Sequence, residues 1–311
     1  MDSVYGVQKK IIAIHSEDRD IVKWPTPTQF EIDLPVDYKN VVSIRLNDID
    51  MCSFHLFMEV NQNTKFRVEL GDFIYFGHIS EGSYTADQMA NELTGQLNAC
   101  THTTGFLVVY NQVSKRLVFT NTAAFCFSFC EGEEYCGCAT VFYDNYSKWG
   151  LGSYLGFEKT KYVSELGDVV LHWKPQILSG VHFISAPFQL DLVGDTQMYM
   201  ELATYNNIDE LMPYAERSND LYFGKFGGKH NSSFAKIPLY RMSNVNDFLT
   251  NIFFSVPPLE RVQKLRFKFR FHDGRPVEFN GLNFNFSLEI TTLRNEMPKN
   301  VMMNRTNYTL T

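Results

Sequence analysis

Apolar and polar residues alternate along most of this chain, and a period of two predicts strands. Phe30, Ile32 and Leu34 alternate with Glu31 and Asp33; after Pro35 and a polar turn, Val42, Ile44 and Leu46 alternate with Ser43 and Arg45. Phe66 to Leu70 and Phe73 to Ile79 flank Gly71-Asp72, and Phe106 to Tyr110 and Arg116 to Thr120 flank Asn111 to Lys115, so each pair reads as a hairpin. The period changes once. In Thr85-Ala-Asp-Gln88 a threonine side chain can satisfy a free helix N–H while the glutamine reaches back, and Met89, Leu93 and Leu97 follow at four-residue spacing. This capping box and stripe predict one amphipathic helix near 85–98.

From Ala123 to Gly156 the chain is aromatic, Cys-bearing and Gly-bearing, and its end, Trp149 to Phe157, reads as a packed loop or short helical turn. Strands resume at Val169 to Trp173, Gln189 to Leu192, Gln197 to Leu202, Ala235 to Tyr240 and Phe248 to Val256, with Asp209 to Ser233 as a polar surface excursion. The clearest strand is Leu265-Arg-Phe-Lys-Phe-Arg-Phe271, apolar at every second position and cationic between. Val277 to Phe279 and an alternating run of Phe284, Phe286, Leu288 and Ile290 follow across the turns His272 to Pro276 and Asn280-Gly281. Strands about every ten residues, with turn signals between them, predict a mainly β fold of two β-sandwich, jelly-roll-like modules. The expected division is 1–162, holding the helix, and 163–294, with a boundary near Lys159 to Gly167 and an extended tail at 295–311.

Composition sharpens this. Among 311 residues, 27 Phe and 16 Tyr against 3 Trp favour pleated, half-buried surfaces. The net charge of −7, with no basic run longer than Lys9-Lys10, argues against a nucleic-acid partner. Met1 to Ile14 lacks the apolar core of a secretory signal, and no run of about 18 apolar residues occurs. The expectation is a chain made in the cytosol, in which the six cysteines form no disulfide framework and the Asn-x-Ser/Thr sites stay unmodified.

Candidate chemistry is sparse. Cys126, Cys130, Cys136 and Cys138 are weak metal candidates: four thiolates could enclose zinc, but gaps of three, five and one residue lack the CxxC knuckle, which favours free, partly buried cysteines. His15, Ser16, Asp18 and Asp20 offer a base, a nucleophile and two acids, yet four neighbours in an extended segment cannot converge on one atom. A solvated turn with an Arg19–carboxylate pair is the simpler reading. Gly224 to Lys229 resembles a phosphate loop in composition only, lacking the Gly-Lys-Ser/Thr ending. His55, His78, His172, His182 and His272 are scattered singly. No catalytic residue, cofactor or small-molecule substrate is expected. Arg266, Lys268 and Arg270 form a cationic row that is either a solvated face or a partner-facing one.

The ordered set of motifs says more than any one of them. "HSEDRD", "WPTPTQFEIDLPVDYKNVVSIRLNDIDM", "SYTADQMANELTGQLN", "FLVVYNQVSKRLVFTN", "LGSYLGF" and "LRFKFRFHDGRPVEFNGLNFNFSLEI" span nearly the whole chain. In that order they resemble structural proteins of nucleocytoplasmic large DNA viruses of the chlorovirus or mimivirus kind, departing from the pattern at Phe125 to Cys138. The resemblance implies a minor capsid protein of jelly-roll modules, not an enzyme. Its implied place is the virion shell, on the inner side. Its implied partners are the major capsid protein, other minor capsid proteins and further copies of itself. Two rivals stand beside it: a jelly-roll penton or glycan-binding protein using exposed Trp149, Tyr154 and Trp173, and a β-sandwich hydrolase using His15 or the acids near it.

Overall fold

The computed structural model describes residues 6–51, 55–58, 63–129, 150–171, 176–211, 230–239, 251–272 and 274–294. The described chain begins with strand β1 (Gly6–His15) and, after a single 3-10 turn, the long β2 (Gln29–Asp50). It then builds β3 (Lys65–Leu70), β4 (Phe73–His78), helix α1 (Ala86–Thr101), β5 (Leu107–Asn111), β6 (Arg116–Asn121) and β7 (Phe125–Ser128). Helix α2 (Leu151–Leu155) precedes β8 (Lys161–Val163), β9 (Glu165–Leu171) and β10 (Gln176–Ser185). The remaining strands are β11 (Gln197–Leu202), β12 (Ile208–Leu211), β13 (His230–Ser233), β14 (Ala235–Pro238), β15 (Ile252–Arg270) and β16 (Asn285–Arg294). The fold is mainly β, as the alternation predicts.

The division into units differs from the expected sequential halves. One unit draws on Met1–Phe54, Asp195–Pro213 and Lys225–Thr311, while His55–Gly194 forms another, inserted in the sequence of the first. The expected boundary at 159–167 lies inside the second unit, where β8 pairs with β7 and β9 pairs with β10. That stretch looked like a linker because Val163 and Leu166 point to solvent from short edge strands, which erases the alternation that core-facing strands show.

The first unit is a six-stranded antiparallel sheet in the order β1-β16-β2-β15-β11-β14, with the two-stranded β12-β13 beside it in sequence. Its first and last strands pair in unbroken register from Gly6 opposite Arg294 to His15 opposite Asn285. The polar turn expected after Pro35 is not a turn: β2 continues through it, and register shifts against β15 between Phe254 and Leu259 and between Val262 and Lys264 absorb the irregular residues. Phe30, Phe267, Phe269, Phe279, Phe284 and Phe286 meet in one core. The Phe269 and Phe284 rings lie edge to face at 4.9 Å. Full burial of each such ring stabilises by about 1.5–3 kcal/mol.

The second unit sandwiches a core between two four-stranded sheets, β4-β3-β7-β8 and β5-β6-β10-β9. Helix α1 forms as its capping box predicts, with the Thr85 side chain accepting from the Gln88 N–H and the Gln88 side chain accepting from the Thr85 N–H. It buries Met89, Ala90, Leu93 and Leu97. Phe127 lies at the centre, with ring centroids 4.6 Å from Phe129 and 4.8 Å from Phe119. Gly194, at φ +71, closes the insertion: that left-handed backbone favours glycine, and a Cβ there would fall 2.0 Å from Leu56 Cδ1 and displace it.

Candidate interaction surfaces

The segment from His15 to Asp20 is a latch. Ser16 is buried; its hydroxyl accepts the Phe284 N–H at 2.9 Å and donates to Asn283 Oδ1 at 3.3 Å, while its own N–H reaches Phe284 O at 2.8 Å. Both hydroxyl functions are therefore occupied by structure, and His15 sits exposed at the end of β1. Arg19 bonds to the carbonyls of Ser16 (2.6 Å), Trp24 (3.0 Å) and Pro25 (3.2 Å) and to Asn283 Oδ1 (2.9 Å), in place of the expected carboxylate pair. Asp20 Oδ1 caps the N–H groups of Val22 and Lys23. These side chains tie the lead-in of β2 to the residues just before β16, which the sequence could not show because the partners lie some 265 positions apart.

Of the four cysteine candidates, Cys126 lies half-buried on β7, opposite Glu69 in register on one side and Val163 on the other. Cys130, Cys136 and Cys138 lie outside the described residues, as do Trp149, Trp173, His172 and Gly224 to Lys229. Among the described residues no three His, Cys, Asp or Glu side chains gather as a metal site would require. Tyr154, offered above as an exposed glycan contact, is buried with its ring 5.2 Å from Phe57.

The cationic row needs correcting. Arg270 is only 1% exposed, so it faces no solvent and no partner. It forms a bidentate pair with Glu210 (2.6 and 3.1 Å), a second ion pair with Glu201, and a bond to Phe271 O at 3.1 Å. Its guanidinium also lies 5.3 Å from the centroid of the Tyr199 ring. Burial alone would lower the arginine pKa, but the two glutamates outweigh it and the net shift is upward. Burial, with Glu210 adding, also pushes the Tyr199 phenol up. Half-exposed His272 approaches Glu210 from outside, with Nδ1 at 3.3 Å.

Lys268 pairs with Glu201 at 3.5 Å, and Arg266 packs over the Trp24 ring at 5.0 Å. Further along β15, Lys264 meets Asp33 at 3.0 Å and Glu31 at 3.8 Å, and Lys23 also reaches Glu31 at 3.4 Å. The polar face of the Phe-Glu-Ile-Asp-Leu strand therefore lies beside the polar face of the Leu-Arg-Phe-Lys-Phe strand, with Glu31 opposite Arg266 and Asp33 opposite Lys264. Sequence reasoning found both faces and missed that they neutralise each other. It also missed Glu210, whose strand β12 runs into the segment expected to be a surface excursion.

Apolar side chains are exposed elsewhere, along the sheet edges. Strand β1 presents Val7 and Ile11, the latter 63% exposed. Edge strand β4 presents Phe73 (68%), Ile74 and Phe76, and β8, at the other edge of that sheet, presents Val163. The second sheet of the insertion shows Leu107 on edge β5, with Leu166 and Val170 on edge β9. The run Phe73-Ile74-Tyr75-Phe76, apolar on both faces, was the available sequence signal. Beside β1, where β16 ends, a surface cleft of about 530 Å³ is lined by Lys10, Tyr38, Lys39 and Arg294 among others.

No protein-family model matches the chain, and no curated protein matches it. Among solved structures, the chain is similar to the mavirus penton protein, at 9% identity and a TM-score of 0.41, covering 92% of this chain and 99% of that one. It is also similar to a chain in the cryo-EM structure of the Sputnik virophage, at 8% identity and a TM-score of 0.34, covering 92% and 98%. At these scores, fold and role rest on the chain's own residues.

Proposed function

We propose that this chain is a structural minor capsid protein of a large icosahedral double-stranded DNA virus. It joins or cements the shell through contacts with the major capsid protein and other minor capsid proteins, and it performs no catalysis. The observation that carries this reading is the state of the sheet edges. Free-standing β proteins blunt their edges with charge, proline or bulges, because an open apolar edge templates pairing with another chain. Among the described residues, five of the six edge strands of the three larger sheets, β1, β4, β5, β8 and β9, carry exposed large apolar side chains, and β14 carries none. Such edges suit a subunit whose outer surfaces are covered by neighbours, since the centres of protein interfaces are apolar and depleted of charge. The ordered motifs that resemble viral structural proteins point the same way.

Quantitative mass spectrometry of particles purified from the virus that encodes the chain tests the reading. The chain is expected in a fixed ratio to the major capsid protein and resistant to stripping by salt. Its absence from purified particles overturns the proposal. A copy number that fits the vertices alone would move the role from cement to penton.

A further inference from the structure

We propose that the free edge of β1, with the cationic cleft beside it, receives an acidic extended strand from a neighbouring protein of a different kind. This rests on the shell reading above and names the chemistry of one partner. Among the described residues the edge is open: β1 is hydrogen-bonded to β16 on one side and is terminal in its sheet, so alternate residues of its ten direct their backbone N–H and C=O groups to the unpaired side. Added strands gain affinity from such main-chain bonds and specificity from the side chains beside them.

The side chains favour an acidic, apolar-alternating guest. Val7 and Ile11 are exposed on one face of β1, and Lys9 between them is already paired with Glu289 at 2.9 Å. On the other face, Lys10 projects over the Tyr38 ring at 5.6 Å into the cleft that Lys39 and Arg294 share. Among the described residues none of these three cations forms an ion pair with a carboxylate. The one acid of the cleft, Asp37, is engaged by Gln263 at 2.6 Å and Arg261 at 2.5 Å, bonds that hold its carboxyl below the ordinary range. In a chain of net charge −7 this leaves a local cationic excess beside an open strand edge.

Charge also separates the possible occupants. A second copy of β1 would bring Lys9 and Lys10 against the same residues, and like charges across a strand pair destabilise it. Residues 295–311 of this chain contain one acid, Glu296, against Lys299 and Arg305, so they do not complement the cleft. The match is a strand of the kind the molecule already uses internally, where Glu31 and Asp33 of β2 lie opposite Arg266 and Lys264 of β15.

The test uses the full chain and a fluorescent peptide copying residues 28–35, alongside the same peptide carrying Glu31→Lys and Asp33→Lys. Anisotropy is expected to show binding of the acidic peptide only. In the Lys10→Glu, Arg294→Glu double variant, affinity should fall by about tenfold or more, with circular dichroism unchanged, as expected when an attractive charge contact becomes repulsive. Equal binding of both peptides, no binding of either, or no loss in the variant overturns the inference. So does self-association that Ile11→Glu abolishes, which would give the edge to a second copy. Preferential binding of an oligodeoxythymidine would give the cleft to nucleic acid and likewise overturn it. In particles, normal incorporation of the double variant sinks this inference and leaves the shell role standing. Absence of wild type and variant alike sinks the shell role, and the inference with it.

Discussion

The outer face of the first unit's sheet and the edges of the second unit's sheets use opposite chemistry. In the first, a row of cations on β15 meets a row of acids on β2, β11 and β12, so the most charged strand in the sequence is satisfied within its own unit. In the second, edge strands β4 and β5 carry no Asp, Glu, Lys or Arg, and Phe73, Phe76, Val163 and Leu166 stand in solvent. A charged row is thus a poor guide to an interface when its partners lie on a strand distant in sequence. An apolar residue on an edge strand is a better one, since nothing within the sheet remains to cover it.

The contrast can be broken at its buried end first. Arg270→Met leaves Glu210 without its bidentate partner inside the protein, and removing one member of a buried pair costs about 3–5 kcal/mol. Chemical denaturation should show a loss of that order, with hydrogen exchange rising in β11, β12 and β15. Adding Glu210→Leu should recover much of it, because the stranded charge is then gone. A single variant as stable as the wild type would mean the cluster does not hold β12 to the sheet.

At the exposed end of the same ladder the expected effect is far smaller. Lys264→Ala removes contacts to Asp33 and Glu31 that water and salt screen, and its denaturation midpoint should stay within experimental scatter. A clear loss there would show that the ladder acts as a connected network.

The edges supply the least effect on folding and the most on association. Phe76→Lys, on the exposed face of β4, should change stability by no more than about 0.5 kcal/mol. Incorporation into particles should nevertheless fall. Stability and incorporation falling together would make Phe76 a folding residue; neither changing would remove β4 from the assembly surface.

The reading from sequence succeeded where the governing physics is local. The Thr85–Gln88 capping box, the four-residue spacing of Met89, Leu93 and Leu97, and the Gly71-Asp72 hairpin all formed within a residue or a few of where they were expected. It failed at Pro35 to Tyr38, where a polar stretch proved to be continuous strand carried by register shifts. The latch built on Ser16 and Arg19 looked like chemistry because its residue types were visible and its partners, Asn283 and Phe284, were not. The candidate surfaces were less legible still: exposure of Ile11 or Phe73 depends on which strand is left at an edge, and alternation alone does not state it.

By itself the sequence determined that this is a mainly β chain with one capped amphipathic helix, because burial on one face of a strand or helix imposes a period that can be read residue by residue. Only the tertiary structure decided that β1 pairs with β16, that His55–Gly194 forms a unit inserted between them, and that Arg270 lies buried on Glu210 while Lys10 and Arg294 do not pair with described acids. Strand pairing joins residues far apart along the chain, and the same alternating pattern fits many partners. The choice among them is made by the packed core and by charges meeting across it, which no local window of sequence contains.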